Sequence, residues 1–111
     1  MASVDKRVVR NIIQKFVQEQ IKEYGSFSNF INHVKEKARV LNVAPAELMS
    51  AKLEYHFIQV MKTKIEIHCG PANVIHNMID FTIYAEDKIF FVRISEWCGE
   101  TQISVGRVVL D

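Results

Sequence analysis

The residues best equipped for chemistry are His56, His68, Cys69, His76 and Cys98. Imidazole and thiolate are the usual protein ligands of zinc, which takes four of them as a tetrahedron. Such ligands commonly come in close pairs, Cys-x-x-Cys or His-x-x-x-His, because one turn or one helical face then supplies two donors. Neither spacing occurs here, so each ligand would have to converge from a separate part of the chain. A nucleophilic Cys98 activated by His76 meets the same demand, since a thiol needs its base within hydrogen-bond reach. Both cysteines read instead as inert thiols at strand ends, and free cysteine ordinarily packs as a small buried hydrophobe. Glycine-rich phosphate loops, nucleophile elbows and paired acid–base motifs are absent from the sequence. The expectation is a chain with no catalytic residue, no metal and no cofactor.

Any site must be positioned by three helices and a run of strands. Val4, Val8, Ile12, Phe16 and Ile21, with Val9, Ile13, Val17 and Tyr24, form an apolar stripe at helical spacing. Lys6, Arg7, Gln14, Lys15, Gln18 and Lys22 occupy the other face. Ser3 suits the N-cap and Gly25 the left-handed position after the last turn. A second helix is expected from a cap at Ser28 to about Leu41, with Phe30, Val34, Ala38 and Leu41 inward and Asn42 ending it. Pro45 opens a third, at roughly residues 45–61, with Glu47 near the positive end of its dipole. That helix has two apolar stripes, Leu48-Ala51-Tyr55-Ile58 and Met49-Leu53-Phe57-Val60-Met61. Apolar surface on two sides implies burial on two sides, placing it between the other helices and the sheet.

Beyond Lys62 the period changes to two. Ile65, Ile67 and Cys69 alternate with Lys64, Glu66 and His68 as in a half-buried strand, which Gly70-Pro71 breaks. Residues 72–78 read equally as a helical turn or the start of a strand. Strands follow at 79–84, at 88–97 after a tight turn at Glu86-Asp87, and at 101–110 after a turn at Cys98-Gly99-Glu100. The last three should form an antiparallel meander.

Composition bounds the class. A chain of 111 residues, 49% hydrophobic and 24% charged, can build one core and is neither disordered nor fibrous. Its longest apolar run, Ile89-Phe90-Phe91-Val92, is far short of the roughly 20 residues of a membrane helix. Charges interleave with valines near the N-terminus, unlike a secretion signal. Two cysteines make no disulfide framework, so a cytoplasmic location with reduced thiols is expected. Residues 1–62 carry ten Lys/Arg against six Asp/Glu, a balance of +4; residues 63–111 carry four against seven, a balance of −3. Lys35, Lys37 and Arg39 are the densest basic group and the candidate nucleic-acid contacts.

Two family resemblances attach to particular residues. Ala38, Leu41, Asn42, Val43 and Leu48, within residues 34–53, resemble the helix-turn-helix of bacterial and phage regulators, which implies DNA binding through the second and third helices. The chain departs from that pattern at Lys37, usually apolar, and at Ala44 and Pro45, where a polar cap is usual. Ala46, Glu47 and Ser50 offer no Arg, Asn or Gln to read base edges. Residues 79–95 resemble the metal-binding hairpin of PD-(D/E)xK nucleases, which implies a divalent metal held by an acid on one strand and an acid-x-lysine triplet on the next. Asp80 matches the first acid, but the triplet is Arg93-Ile94-Ser95, so that second carboxylate and the lysine are missing. A guanidinium there repels the hard cation that the site would hold.

The resulting expectation is a single α+β domain over 1–111. Three N-terminal helices (residues 1–61) pack on a three- to four-stranded, mainly antiparallel C-terminal sheet (residues 62–111). The leading function is a small non-catalytic regulatory or inhibitory module that binds another macromolecule, a protein first. A homo-oligomer joined through a sheet edge is a further partner arrangement, and no membrane is involved. The alternatives are a helix-turn-helix-like DNA-binding transcription regulator and a nuclease-related protein with a degenerate active site.

Overall fold

A computed structural model describes residues 4–61, 67–69, 73–85 and 87–108, with backbone alone at 67–69. The helices are α1 (Lys6–Tyr24), α2 (Phe27–Leu41) and α3 (Pro45–Met61). The strands are β1 (Ile67–Cys69), β2 (Asn73–Ile75), β3 (Met78–Ala85), β4 (Lys88–Trp97) and β5 (Glu100–Val108). Every pairing is antiparallel, in the order β1-β3-β4-β5, and β2 also pairs with β3. β1 pairs with residues 83–85 and β2 with 78–80, so both lie end to end along one edge of β3. Five strands therefore fill four positions across the sheet. The expected α+β arrangement is the one found.

Local chemistry sets the helix ends. The Asp5 side chain accepts from Val8 N–H and caps α1; Ser3, the cap expected from sequence, lies outside the described residues. Val4 before this cap and Val9 in the first turns are both buried, the spacing of a hydrophobic staple. Gly25 closes α1 at φ 91°, a conformation costly for any residue with a Cβ. Ser26, and not Ser28, caps α2 by accepting from Asn29 N–H. Asn42 ends α2 in the left-handed conformation, and Val43 N–H donates back to the Ala38 carbonyl.

The core is one apolar layer between helices and sheet. α1 contributes Val9, Ile12, Ile13, Phe16 and Val17; α2 contributes Phe27, Phe30, Ile31 and Val34; α3 contributes Met49, Leu53 and Phe57. The sheet meets them with Ile79, Phe81, Ile83 and Ala85 of β3 and Phe90, Val92 and Ile94 of β4. Among the described residues no polar side chain is buried. Two expectations from helical periodicity fail here. Leu41, the last residue of α2, is exposed. On α3 the Met49-Leu53-Phe57 stripe is buried, yet Tyr55 and Ile58 of the other stripe are 66% and 53% exposed. α3 packs against β1 and β2 of the sheet and against α1 and α2, but its Tyr55-Ile58 face is left to solvent.

Alternation along the strands explains how the two layers stay in register. The inward row of β4 reads Lys88, Phe90, Val92, Ile94, Glu96, an apolar centre with a charge at each end. Lys88 Nζ donates to the Val4 carbonyl at 2.9 Å, just ahead of α1. Glu96 Oε2 accepts from Ser28 N–H at 2.7 Å and from the Ser28 hydroxyl, at the N-terminus of α2. A helix start has orphan N–H groups and partial positive charge, so a carboxylate is the fitting acceptor. A side chain 68 residues away in sequence thus supplies part of the α2 cap. Arg10 Nη1 adds a third tie, to the Ile103 carbonyl of β5 at 2.8 Å.

Leu53 is fully buried, so Leu53→Ala should cost about 2–5 kcal/mol in chemical denaturation. Glu96→Ala should cost about 1 kcal/mol, as loss of a helix cap does, and should speed amide exchange at residues 27–29 more than elsewhere.

Candidate functional site

Residues directly opposite in antiparallel strands point to the same side of a sheet. The pairing of Ala85 with Lys88 therefore fixes which side chains share the face turned away from the helices. Tyr84 lies beside Ile89, Thr82 beside Phe91, Asp80 beside Arg93 and Met78 beside Ser95. β5 extends these rows with Val108, Gly106, Ser104 and Gln102. Among the described residues nothing packs on this face. Tyr84, Phe91 and Val108 are 44%, 38% and 38% exposed, and Trp97, at the end of the β4 row, is 75% exposed. Ile75, opposite Met78 on β2, is also exposed. Large apolar side chains recurring together on an open surface mark an interaction site more often than single ones do.

The centre of this face is ionic. Arg93 Nε donates to Asp80 Oδ1 at 2.7 Å and its Nη2 to Oδ2 at 3.1 Å, a bidentate pair across β3 and β4. The guanidinium carbon lies 5.9 Å from the centre of the Phe91 ring on the same row, within cation–π range. Hydrogen bonding to Asp80, reinforced by its charge, pushes the Arg93 guanidinium above its usual pKa. Both Asp80 oxygens are thus engaged by a cation, in the hairpin that resembles a nuclease metal site.

The turns at the two ends of the sheet hold the other residues singled out from sequence. β2 and β3 join through His76-Asn77, with His76 at φ 52°; residues 73–78 are therefore strand, turn and strand rather than a helical turn. β4 and β5 join through Cys98-Gly99, both at positive φ (52° and 81°), the backbone of a two-residue type I′ hairpin. Cys98 is an exposed free thiol at this tip, not a buried one. No hydrogen bond joins His76 to Cys98. Among the described residues no three His, Cys, Asp or Glu side chains converge as metal ligands would; the side chains of His68 and Cys69 fall outside them.

Lys35, Lys37 and Arg39 are all exposed, but they do not form one patch. Lys35 and Arg39 stand one turn apart on α2, and Arg39 is paired with Glu36 through both Nε and Nη2. That hydrogen bonding holds the Glu36 carboxyl below its usual pKa and raises that of Arg39. Lys37 projects to the opposite side and lines a groove of about 760 Å³ between the three helices, with Lys15 of α1 and Lys52 of α3. His56 lies in the same groove. Its Nε2 sits 3.1 Å from the Ile12 carbonyl and so carries the proton there, while Nδ1 is 3.9 Å from Glu19 Oε2. The edge of its ring meets Phe16 at 5.1 Å between centroids, so the imidazole serves as packing between α1 and α3. Burial, with the neighbouring Glu23 carboxylate, raises the pKa of the Tyr24 phenol in this groove.

Sequence reasoning missed the Asp80–Arg93 pair as a pair and the open face around it. The signal was present: once Ala85 pairs with Lys88, every partner across the hairpin follows. Comparison with protein-family models, with curated proteins and with solved structures finds no match to this chain.

With Asp80 held by Arg93, incubation with DNA or RNA and magnesium or manganese should give no cleavage. Metal-dependent cleavage abolished by Asp80→Ala would contradict this account of the hairpin.

Proposed function

We propose that this protein is a small non-catalytic module, regulatory or inhibitory in role, that works in the cytoplasm by binding another protein through the open face of its sheet. The observation that carries this reading is the group of exposed Tyr84, Phe91 and Val108 beside a neutralised Asp80–Arg93 pair, with Trp97 exposed at the far end of β4. Exposed aromatic side chains on a surface whose charges are paired are the usual composition of a protein interface. The exposed Cys98 thiol fits a reducing compartment. The basic residues favour a nucleic acid less. Arg39 is paired to Glu36, Lys37 points away from Lys35, and the outward stripe of α3 carries Tyr55 and Ile58 instead of base-reading side chains.

The test compares two double variants with the natural sequence in affinity capture, quantified by mass spectrometry, and in titration with random-sequence duplex DNA. Tyr84→Asp with Phe91→Asp should abolish protein capture while leaving the circular-dichroism spectrum unchanged. Lys35→Glu with Arg39→Glu should leave capture intact. Duplex binding should be no tighter than about 10⁻⁴–10⁻⁶ M at physiological salt. A sub-micromolar DNA complex lost on reversing Lys35 and Arg39 would overturn the proposal.

A further inference from the structure

We infer that the occupant of the open sheet face is a second copy of this chain, packed face to face about a two-fold axis that runs between β3 and β4. The inference rests on the reading of that face as a protein-binding surface and names its partner.

Three features of the face point to self-association. The first is symmetry of charge. In the rows formed by β3, β4 and β5, from Met78, Ser95 and Gln102 to Tyr84, Ile89 and Val108, Asp80 and Arg93 are the only charged residues, one acid and one base side by side. An isologous interface must be complementary to itself. An axis midway between β3 and β4, parallel to them, sets Asp80 of each copy over Arg93 of the other, so the ion pairs stack with opposite charges facing. The second is coverage. The sheet is four positions wide, with β1 and β2 outside β3 on one side and β5 outside β4 on the other. The axis that matches the charges is therefore also the central axis of the sheet, and it gives full overlap, β5 of each copy lying across β1 and β2 of its partner. Tyr84 then meets Ile89 of the second copy, and Thr82 meets Phe91.

The third is area. β3, β4 and β5 have 8, 10 and 9 residues. Four positions at ~4.8 Å spacing and about eight residues at ~3.3 Å give a flat face of roughly 500 Å² per copy. Two such faces hide at least about 1,000 Å² together, at the threshold for a specific interface. The sheet edge is a poorer route to a dimer. The first pair after the Cys98-Gly99 turn is Trp97–Glu100, so β5 aims the backbone groups of residues 101, 103, 105 and 107 off the edge. The Arg10 guanidinium occupies the Ile103 carbonyl in the middle of that row, which blunts the edge against a new strand.

The experiment uses charge complementation in sedimentation equilibrium over about 1–200 μM, the range for an interface near the minimum area. The natural protein should dimerise within that range. Asp80→Arg places four guanidinium groups together at the dimer centre, and Arg93→Asp four carboxylates; each variant alone should weaken dimerisation at least tenfold. An equimolar mixture of the two should restore it, because an Arg–Arg face then meets an Asp–Asp face. Misfolding cannot produce that rescue, and Phe91→Asp, which leaves the ion pair intact, should give a folded monomer with no rescue by either variant. Dimers in all three variants alone, or no restoration on mixing, would overturn the inference. A natural protein monomeric throughout the range would also overturn it. In that case capture of a different protein, lost with Tyr84→Asp and Phe91→Asp, would leave the broader reading standing, and capture unchanged by them would remove both.

Discussion

The inward row of β4 is the constraint on which the remaining structure depends. Phe90, Val92 and Ile94 have no exposed surface and belong to one core layer with side chains from all three helices. Because that layer is entirely apolar among the described residues, it supplies cohesion but little orientation; hydrophobic burial is not directional. Direction comes from the ends of the same strand. Lys88 fixes the approach to α1 and Glu96 the start of α2, so one strand both buries the core and aligns the helices over it.

With all three helices on one side, the other side of the sheet is uncovered among the described residues. In an antiparallel sheet that face is usually polar; here large apolar side chains stand among polar ones such as Thr82, Ser95, Gln102 and Ser104. Ile75, Tyr84, Phe91, Val108 and Trp97 all retain substantial exposure. The ionic pair at the centre removes the cost of an isolated charge on such a surface, since each Asp80 oxygen already has a donor. A face built on paired strands, with its central charges neutralising each other, presents its apolar side chains without a loop to be ordered first.

Much of this was legible in the sequence, and the parts that were not share a cause. The stripe Val9-Ile13-Phe16-Val17 identified α1 because helical spacing is a local property. The change to alternation after residue 62, with turns at 86–87 and 98–99, identified the meander in the same way. Periodicity does not say which of two apolar stripes is covered, so Tyr55 and Ile58 on α3 were assigned to a core that does not reach them. Local spacing likewise cannot reveal a cap supplied from another strand, and Ser28 was read as its own cap when it is the donor to Glu96. Lys35, Lys37 and Arg39 look like one basic group in sequence; successive helical positions turn by about 100°, which separates Lys37 from the other two. Asp80 stood out only through a motif whose remaining residues were missing. Its partner Arg93 was the residue that broke the motif, and the open face follows from their pairing.

Whether the outward face of the sheet is a contact surface in solution decides how this protein works. Methyl-resolved nuclear magnetic resonance with a soluble paramagnetic agent reads this directly, with Ile89 and Val108 reporting on the face and Ile58 of α3 as an exposed reference. As protein concentration rises, broadening of the Ile89 and Val108 methyls by the agent should fall while that of Ile58 stays constant. Equal broadening of all three at every concentration would show that no second copy covers the face, and would contradict self-association through it.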